Sequence, residues 1–350
     1  MGRSIASLIV ISVFMLLSAC TQDSDVLYSQ AQTEAELGSR QRALDYLVQI
    51  QANDPQYTDA YTFAARLFVE DQNYPEAISQ LKRGLDAKAD SAVITNMIGE
   101  IYHQRGDLEQ AYYYYNMALK LNAENEAAQV NMGTVLADKA LFDQAVVHFN
   151  QALALNSGSY SAHIGKALAL AAVKETGEAI DLLEKAIELE SMRGEAYGAL
   201  AFTQEKTGTP REAIIENYAL AVRLTPQDQS TWLHYLDFMS ADTNRQNVIK
   251  VHQRYNSSFP NDLEGYHRLT KLYLDLALEE GLSWLDAAKN QCDNALLIDG
   301  DDHVSHANLA RIYLLQEKPR LAVLEAQLAF EIQPSSDYRE LVDRAKYMLK

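Results

Sequence analysis

Small and apolar side chains recur along this chain with a period of 34 residues, between stretches of polar sequence. Alanine marks the period at Ala43, Ala77, Ala111, Ala145, Ala179 and Ala213. Within one period, Gly99 is small enough to let two helices approach, while Tyr102 and Tyr115 are large enough to fill the space between units. A fixed period of this length predicts a repeat protein.

Two segments show the pattern most clearly. One reads Ile98-Gly99-x-x-Tyr102, then Ala111-x-x-x-Tyr115-x-x-Ala118, and the next reads Met132-Gly133-x-x-Leu136, then Ala145-x-x-x-Phe149-x-x-Ala152. This pattern resembles the tetratricopeptide repeat, W-x2-L-G-x2-Y followed by A-x3-F and a late proline. The resemblance implies an all-α fold, an α-solenoid of stacked helix-turn-helix repeats wound as a right-handed superhelix.

The resemblance divides residues 24–336 into nine repeats. Their predicted bounds are 24–57, 58–91, 92–125, 126–159, 160–193, 194–228, 229–262, 263–302 and 303–336. Repeat 8 carries extra residues around Ala277 to Leu282, so we expect its hairpin to protrude. Residues 337–350 are predicted to form the polar-backed capping helix that ends a solenoid.

The chain begins with a basic residue, Arg3, and an apolar run from Ile5 to Leu17, the layout of a secretory signal. A membrane-spanning helix needs about 20 apolar residues, so this run is too short for one. The run ends in Leu17, Ser18, Ala19 and Cys20, which resemble the lipobox of bacterial lipoproteins. The resemblance implies that residues 1–19 are a cleaved signal peptide and residues 20–23 a lipidated tether.

In that family the cysteine receives several acyl chains, enough to hold a protein on a membrane. Thr21, rather than aspartate, follows the cysteine. By the sorting rule of some Gram-negative lipoproteins, this residue implies the inner leaflet of the outer membrane, facing the periplasm. The remaining cysteine, Cys292, has no partner for an intramolecular disulfide if Cys20 is lipidated, and we expect it to be buried.

The net charge is −18, which disfavours binding to nucleic acid or to anionic lipid. The sequence contains no phosphate-binding glycine loop and no hydrolase or zinc-protease motif, so we predict neither catalytic residues nor a cofactor. His303 and His306 follow two aspartates and could offer metal ligands. The alternative, which we favour, is an aspartate cap with both imidazoles in solvent, and we predict no metal.

Four consecutive tyrosines, Tyr112 to Tyr115, could suggest an aromatic platform for sugars. Consecutive helical residues point around the whole helix, so they cannot form one flat stripe. We expect Tyr115 and two others to pack against neighbours, which leaves one tyrosine exposed.

Tetratricopeptide proteins bind partners in a concave groove lined by the first helix of each repeat. The resemblance places two sets of residues there, while the basic set that holds a carboxylate in chaperone-binding members is missing. The first set is an apolar strip suited to a partner helix or extended segment, although some members could instead pack under a neighbouring helix: Val130, Thr134, Ile164, Leu168 and Phe202. The second set is a basic lining suited to a carboxylate or acidic peptide, unless Glu264 or Asp275 pairs with it: His267, Lys271, Asn308 and Arg311.

These features predict a non-enzymatic, lipid-anchored scaffold that binds other envelope proteins. By analogy with envelope lipoproteins of the same architecture, the first hypothesis is assembly of a pilus or secretion complex. The second is an adaptor for exopolysaccharide export or for peptidoglycan hydrolases. A third, from another class, is an accessory module of a glycosyltransferase-type enzyme.

Overall fold

The computed structural model describes residues 23–349, so the predicted signal peptide, Leu17 to Ala19 and Cys20 lie outside the described residues. Within residues 23–349 the chain forms nineteen α-helices and one 3-10 helix, and no β-strand. It divides into two compact units, the first ending at Ser191 and the second beginning at Met192.

The first unit contains ten helices that follow one another as antiparallel pairs. They are α1 (Ser24–Glu36), α2 (Arg40–Asn53), α3 (Thr58–Glu70), α4 (Tyr74–Asp86), α5 (Ser91–Gln104), α6 (Leu108–Leu121), α7 (Glu126–Asp138), α8 (Phe142–Leu155), α9 (Tyr160–Ala172) and α10 (Thr176–Leu189).

The second unit contains nine α-helices and a 3-10 helix at Leu282–Trp284. The α-helices are α11 (Gly194–Gln204), α12 (Arg211–Leu224), α13 (Gln229–Met239), α14 (Arg245–Ser258), α15 (Leu263–Glu279), α16 (Leu285–Ile298), α17 (His303–Leu315), α18 (Pro319–Ile332) and α19 (Ser336–Tyr347).

Short polar side chains begin many of these helices. The Asp90 carboxylate accepts hydrogen bonds from the backbone N–H groups of Ala92 and Val93, at 2.9 and 3.2 Å. Asn125 and Asp302 cap α7 and α17 in the same way. Each cap satisfies N–H groups that have no partner within the helix, which explains why these helices begin where they do.

In the first unit, the turn inside each helix pair passes through the left-handed region at a constant point of the period. The φ angles there lie between 58° and 76°, at Gly38, Gln72, Gly106, Ala140 and Lys174. The backbone N–H of Leu141 then bonds the carbonyl of Leu136 at 2.8 Å, which closes the end of α7. Only the two glycines adopt this conformation without strain.

The periodic alanines are the contact points of the helix pairs. Ala43, Ala77, Ala111, Ala145 and Ala179 are fully buried, and Ala213 is half-buried. Next to them, the ring of Tyr115 packs on Gly99, and the ring of Phe149 packs between Gly133 and Gly165. Small residues and aromatic rings therefore alternate through the core of the first unit, as the sequence pattern predicts.

In the second unit, buried aromatic residues form the core near α12 to α14, including Trp232, Tyr218 and Tyr255. Cys292 is fully buried in a separate cluster with Leu309 and Ile312, as expected for this lone thiol. Its Sγ lies 3.8 Å from the Thr270 hydroxyl.

The terminal helix α19 packs through one face against α17 and α18. The buried residues Leu341, Val342 and Ala345 make this contact. The extra residues of repeat 8 lengthen α15 to 17 residues and add the 3-10 helix after Gly281. As a result Leu278, near the end of α15, is 68% exposed.

Candidate functional site

The second unit contains an open groove of about 870 Å³ between faces of three helices. Residues of α15 and α17 form its long sides, and α19 contributes at one end. The lining residues are Glu264, His267, Arg268, Lys271, Leu274, Asp275 and Leu278 from α15, Val304, Asn308, Arg311, Leu314 and Leu315 from α17, and Arg344 and Met348 from α19 and its C-terminal end.

The groove has a cationic zone beside an apolar zone. Helices α15 and α17 run in the same direction, because α16 joins them through two antiparallel connections. On α15, Lys271 precedes Leu274 by three residues, and on α17, Arg311 precedes Leu314 and Leu315 by three and four residues. Residues three and four apart are neighbours on a helix surface, so the leucines lie about one turn beyond the cations on both helices.

Three of the cationic side chains in the groove form no ion pair with a carboxylate of residues 23–349: Lys271, Arg311 and Arg344. Arg311 Nη1 donates a hydrogen bond to Asn308 Oδ1 at 2.6 Å, which orients the guanidinium without neutralising it. The fourth cation, Arg268, is engaged with Glu264, 2.8 Å from its Nε, and with Asp237.

His267 is held at the polar end of the groove. Its Nε2 lies 2.7 Å from Oδ2 of the buried Asp302 carboxylate, which also accepts a hydrogen bond from the backbone N–H of Ser305. Burial alone would raise the pKa of Asp302, but hydrogen bonds from Ser305 and His267 outweigh it and lower the pKa below its ordinary value. This contact joins the first helices of two consecutive repeats.

The structure brings together all four residues of the predicted basic lining, His267, Lys271, Asn308 and Arg311. The anticipated ion pairs of Lys271 or Arg311 with Glu264 or Asp275 do not form. Arg344 is not among the predicted groove residues, because the terminal helix lies outside the repeats and its sequence predicts only a cap. The spacing of Arg344 and Met348, one turn apart on α19, is the signal that could have indicated a second face.

The members of the predicted apolar strip differ in their exposure. Ile164 is only 3% exposed and packs inside the first unit, whereas Leu168 is 42% exposed. Val130 and Thr134 are half-buried, and the Thr134 hydroxyl donates to the Val130 carbonyl at 3.0 Å. Phe202 belongs to the second unit, where its ring lies under the Lys206 ammonium at 4.4 Å and beside His234. In the first unit, Leu168 is therefore the exposed apolar member of the strip.

Polar residues on the corresponding face of the first unit bond to one another. The Asn131 amide nitrogen donates to Asn96 Oδ1 at 3.2 Å and to Glu100 Oε1 at 2.9 Å. Asn96 also donates to Glu100. Because these groups already have partners, they offer less to a ligand than the unpaired cations of the second unit.

Two further expectations need correction. Two of the four consecutive tyrosines are exposed, Tyr112 and Tyr113, rather than one. Tyr115 is fully buried as expected, and Tyr114 stacks on Tyr102 with ring centroids 5.3 Å apart. Tyr112 is 37% exposed and lies beneath the Lys139 ammonium, 5.8 Å from its ring, while Tyr113 is 54% exposed.

The expectation that both imidazoles of repeat 9 lie in solvent is wrong. His306 is buried, with Nδ1 2.6 Å from Glu325 Oε2 and Nε2 3.2 Å from the Gly300 carbonyl. His303 Nδ1 lies 2.8 Å from the Tyr338 hydroxyl. The packing of α18 and α19 on α17 brings these partners to the two rings. Among residues 23–349 no group of three or more potential ligands is placed to hold a metal ion.

Three family models describing tetratricopeptide repeats match this chain, over residues 35–100, 94–125 and 130–191. Together with the helix pairs, these matches confirm the predicted fold class, an α-solenoid of tetratricopeptide repeats. The fold indicates a scaffold for protein–protein interaction, and scaffolds of this family are typically non-catalytic. Within the described part of the chain, no helix is both long and apolar enough to cross a membrane.

Solved structures with this fold are similar at low sequence identity. A chain of the APC/C hetero-tetramer Cut9-Hcn1 is 18% identical with a TM-score of 0.49, over 87% of this chain and 59% of that one, so the present chain spans about three fifths of it. A tetratricopeptide repeat protein from Parabacteroides merdae is 14% identical with a TM-score of 0.43, over 74% of this chain and 100% of that one. MamA from Desulfovibrio magneticus is 17% identical with a TM-score of 0.42, over 49% and 97%. No curated protein matches the sequence.

Proposed function

We propose that this protein is a lipid-anchored scaffold of a Gram-negative envelope, facing the periplasm, that binds partner proteins and assists assembly of a pilus or secretion complex. The observation that carries the binding role is the groove of the second unit, where Lys271, Arg311 and Arg344 have no carboxylate partner among residues 23–349. Cationic groups that are placed together and left unpaired are available to a ligand.

The proposed localisation rests on the amino-terminal sequence. Leu17, Ser18, Ala19 and Cys20 resemble a lipobox, and Thr21 follows the lipidated position. A net charge of −18 makes electrostatic attachment to anionic lipid unfavourable, so acyl chains on Cys20 are the source of membrane attachment in this proposal. The described residues contribute no membrane-spanning helix of their own.

Membrane fractionation of Cys20→Ala tests the anchor. This variant should fold, but it should either be released into the soluble fraction or keep its uncleaved signal peptide. The wild type should remain with the outer membrane. Cys292→Ala is the matched control, because it removes the other cysteine and leaves the lipobox intact. Tight membrane association of correctly processed Cys20→Ala would contradict the lipid anchor.

Affinity capture from cross-linked envelope fractions tests the pathway. The proposal predicts recovery of pilus or secretion subunits with the wild-type protein. Recovery of polysaccharide-export components, peptidoglycan hydrolases or a glycosyltransferase, with no pilus or secretion subunit, would contradict this pathway and favour one of the alternatives.

A further inference from the structure

We infer that the groove of the second unit binds a short acidic, amphipathic segment of a partner protein, and that the terminal helix α19 is part of this binding site. The inference rests on the proposed scaffold function and specifies the chemistry of its partner. The bound segment presents carboxylates to the cationic zone of the groove and apolar side chains to the apolar zone.

The cations of the groove are complementary in charge to an acidic segment. Some cations of residues 23–349 have acidic partners, as Arg40 has in Glu70 and Asp71. Lys271, Arg311 and Arg344 differ because all three line one groove and form no ion pair with a carboxylate of residues 23–349. A carboxylate entering the groove would gain charge-assisted hydrogen bonds without first displacing an internal acid.

The two acidic residues of the lining restrict where the carboxylates of the ligand can bind. Glu264 is held by Arg268, so it does not compete for the three free cations. Asp275 forms no ion pair with a described residue and lies one turn beyond Lys271 on α15. It would repel an acidic side chain placed deeper in the groove. The carboxylates of the segment therefore belong at Lys271, Arg311 and Arg344, and the part beyond them should be uncharged.

Apolar side chains beyond the cations form the second zone: Leu274, Leu278, Leu314, Leu315 and Met348. Leu278 is 68% exposed and Met348 is 42% exposed, so this zone is an open trough rather than an enclosed tunnel. An open trough suits the apolar face of a peptide, whereas a free acyl chain would remain partly in water. This difference favours a protein segment over a fatty acid.

The terminal helix contributes to both zones. Arg344 adds a cation and Met348, one turn later, adds an apolar contact. The adjoining face of α19 is fixed to the core by Leu341, Val342 and Ala345. Because Arg344 is exposed and makes no ion pair with the described residues, its replacement should affect ligand binding without unfolding the helix.

The test measures binding of fluorescein-labelled peptides to the purified full-length protein in detergent by fluorescence anisotropy. The first probe is built from leucine and glutamate with the leucines on one helical face. The second has lysine in place of glutamate, and the third has the composition of the first with the leucines scattered. The groove should prefer the first probe to each of the others by about tenfold or more, and added salt should weaken its binding.

Arg344→Ala should weaken binding of the first probe by about five- to tenfold, whereas Lys346→Ala on the same helix should leave its binding unchanged. Lys271→Glu should weaken it further, with Lys250→Glu as the matched charge reversal outside the groove. Circular dichroism melts of each variant show whether the fold is retained. Equal binding of the glutamate and lysine probes, or equal effects of Arg344→Ala and Lys346→Ala, would overturn the inference.

Oleate is added as a competitor in the same assay. Displacement of the probe by oleate at lower concentration than by unlabelled peptide would overturn the assignment to a protein segment. The failures of this inference and of the proposed function are distinguishable. Loss of groove selectivity with pilus or secretion subunits still captured rejects only the groove assignment. Intact selectivity with those subunits absent rejects only the pathway.

Discussion

The ring of Phe149 occupies the space that a side chain at Gly133 would need, because a Cβ there would lie 2.7 Å from the ring. Gly165, in the next helix pair, meets the same ring, and a Cβ there would lie 2.4 Å from it. Phe149 therefore joins two consecutive helix pairs through two glycines.

Gly133→Ala should destabilise the protein by about 1–3 kcal/mol, because the methyl group forces Phe149 out of its packed position. Urea unfolding followed by circular dichroism measures the change. Gly177→Ala is the matched control, since a Cβ there meets no atom within 4 Å, and it should be neutral or slightly stabilising. Equal destabilisation by both substitutions would contradict the packing described for Phe149.

Ala140→Gly should stabilise the first unit by about 0.5–1 kcal/mol. Ala140 is exposed and has a φ of 58°, a conformation that glycine adopts without strain. Ala154→Gly, at an exposed position within α8, should instead destabilise by about 0.5–1 kcal/mol. The opposite signs of the two changes, measured by urea unfolding, test whether the left-handed turn is present.

The Cys292 thiol should be inert in the native protein. It is fully buried, and burial raises its pKa to about 12, so almost no thiolate is present at neutral pH. In a Cys20→Ala background, Ellman's reagent should react with Cys292 only as the protein unfolds in urea. Immediate stoichiometric reaction of the native protein would show that the thiol is accessible.

Acid should weaken the fold through the buried His252 and the half-buried His148. Burial lowers the pKa of His252 and of His148 below their ordinary value of 6.5. The unfolded chain therefore binds protons more readily than the folded one. The contribution of these two histidines to the free energy of unfolding is fully present above pH 6.5. It falls as the pH drops from 6.5 toward their lowered pKa values, by up to about 1.4 kcal/mol per pH unit for each histidine. His252→Gln should reduce the loss between pH 7.5 and 5.5 in urea unfolding, and an unchanged loss would contradict the role of burial.

The repeated fold could be predicted from the sequence because its packing rule is local. Ala111 and Tyr115 lie on one helix face, one turn apart, and the same pair of positions recurs at Ala145 and Phe149. Both pairs are fully buried. A rule that repeats with a fixed period is visible without knowledge of distant contacts.

The candidate site could be predicted only in part, because its remaining residues depend on contacts that are not periodic. Lys271 and Arg311 occupy equivalent positions of consecutive repeats, so the period indicated them. Arg344 reaches the groove only because α19 packs on α17 and α18. The buried His306 contacts Glu325, which lies 19 residues away in the sequence. The local pattern does not indicate this partner.

Site-specific photo-crosslinking in cells tests the scaffold and its groove most directly. The photoreactive amino acid p-benzoylphenylalanine is placed at Leu278, which is exposed in the groove, or at Leu297, which is exposed on α16 outside it. We predict that Leu278 gives a cross-linked adduct with an envelope protein, through a segment rich in acidic and apolar residues, and that Leu297 does not. The absence of an adduct at Leu278, or the same adduct from both positions, would contradict a partner-binding groove in the second unit.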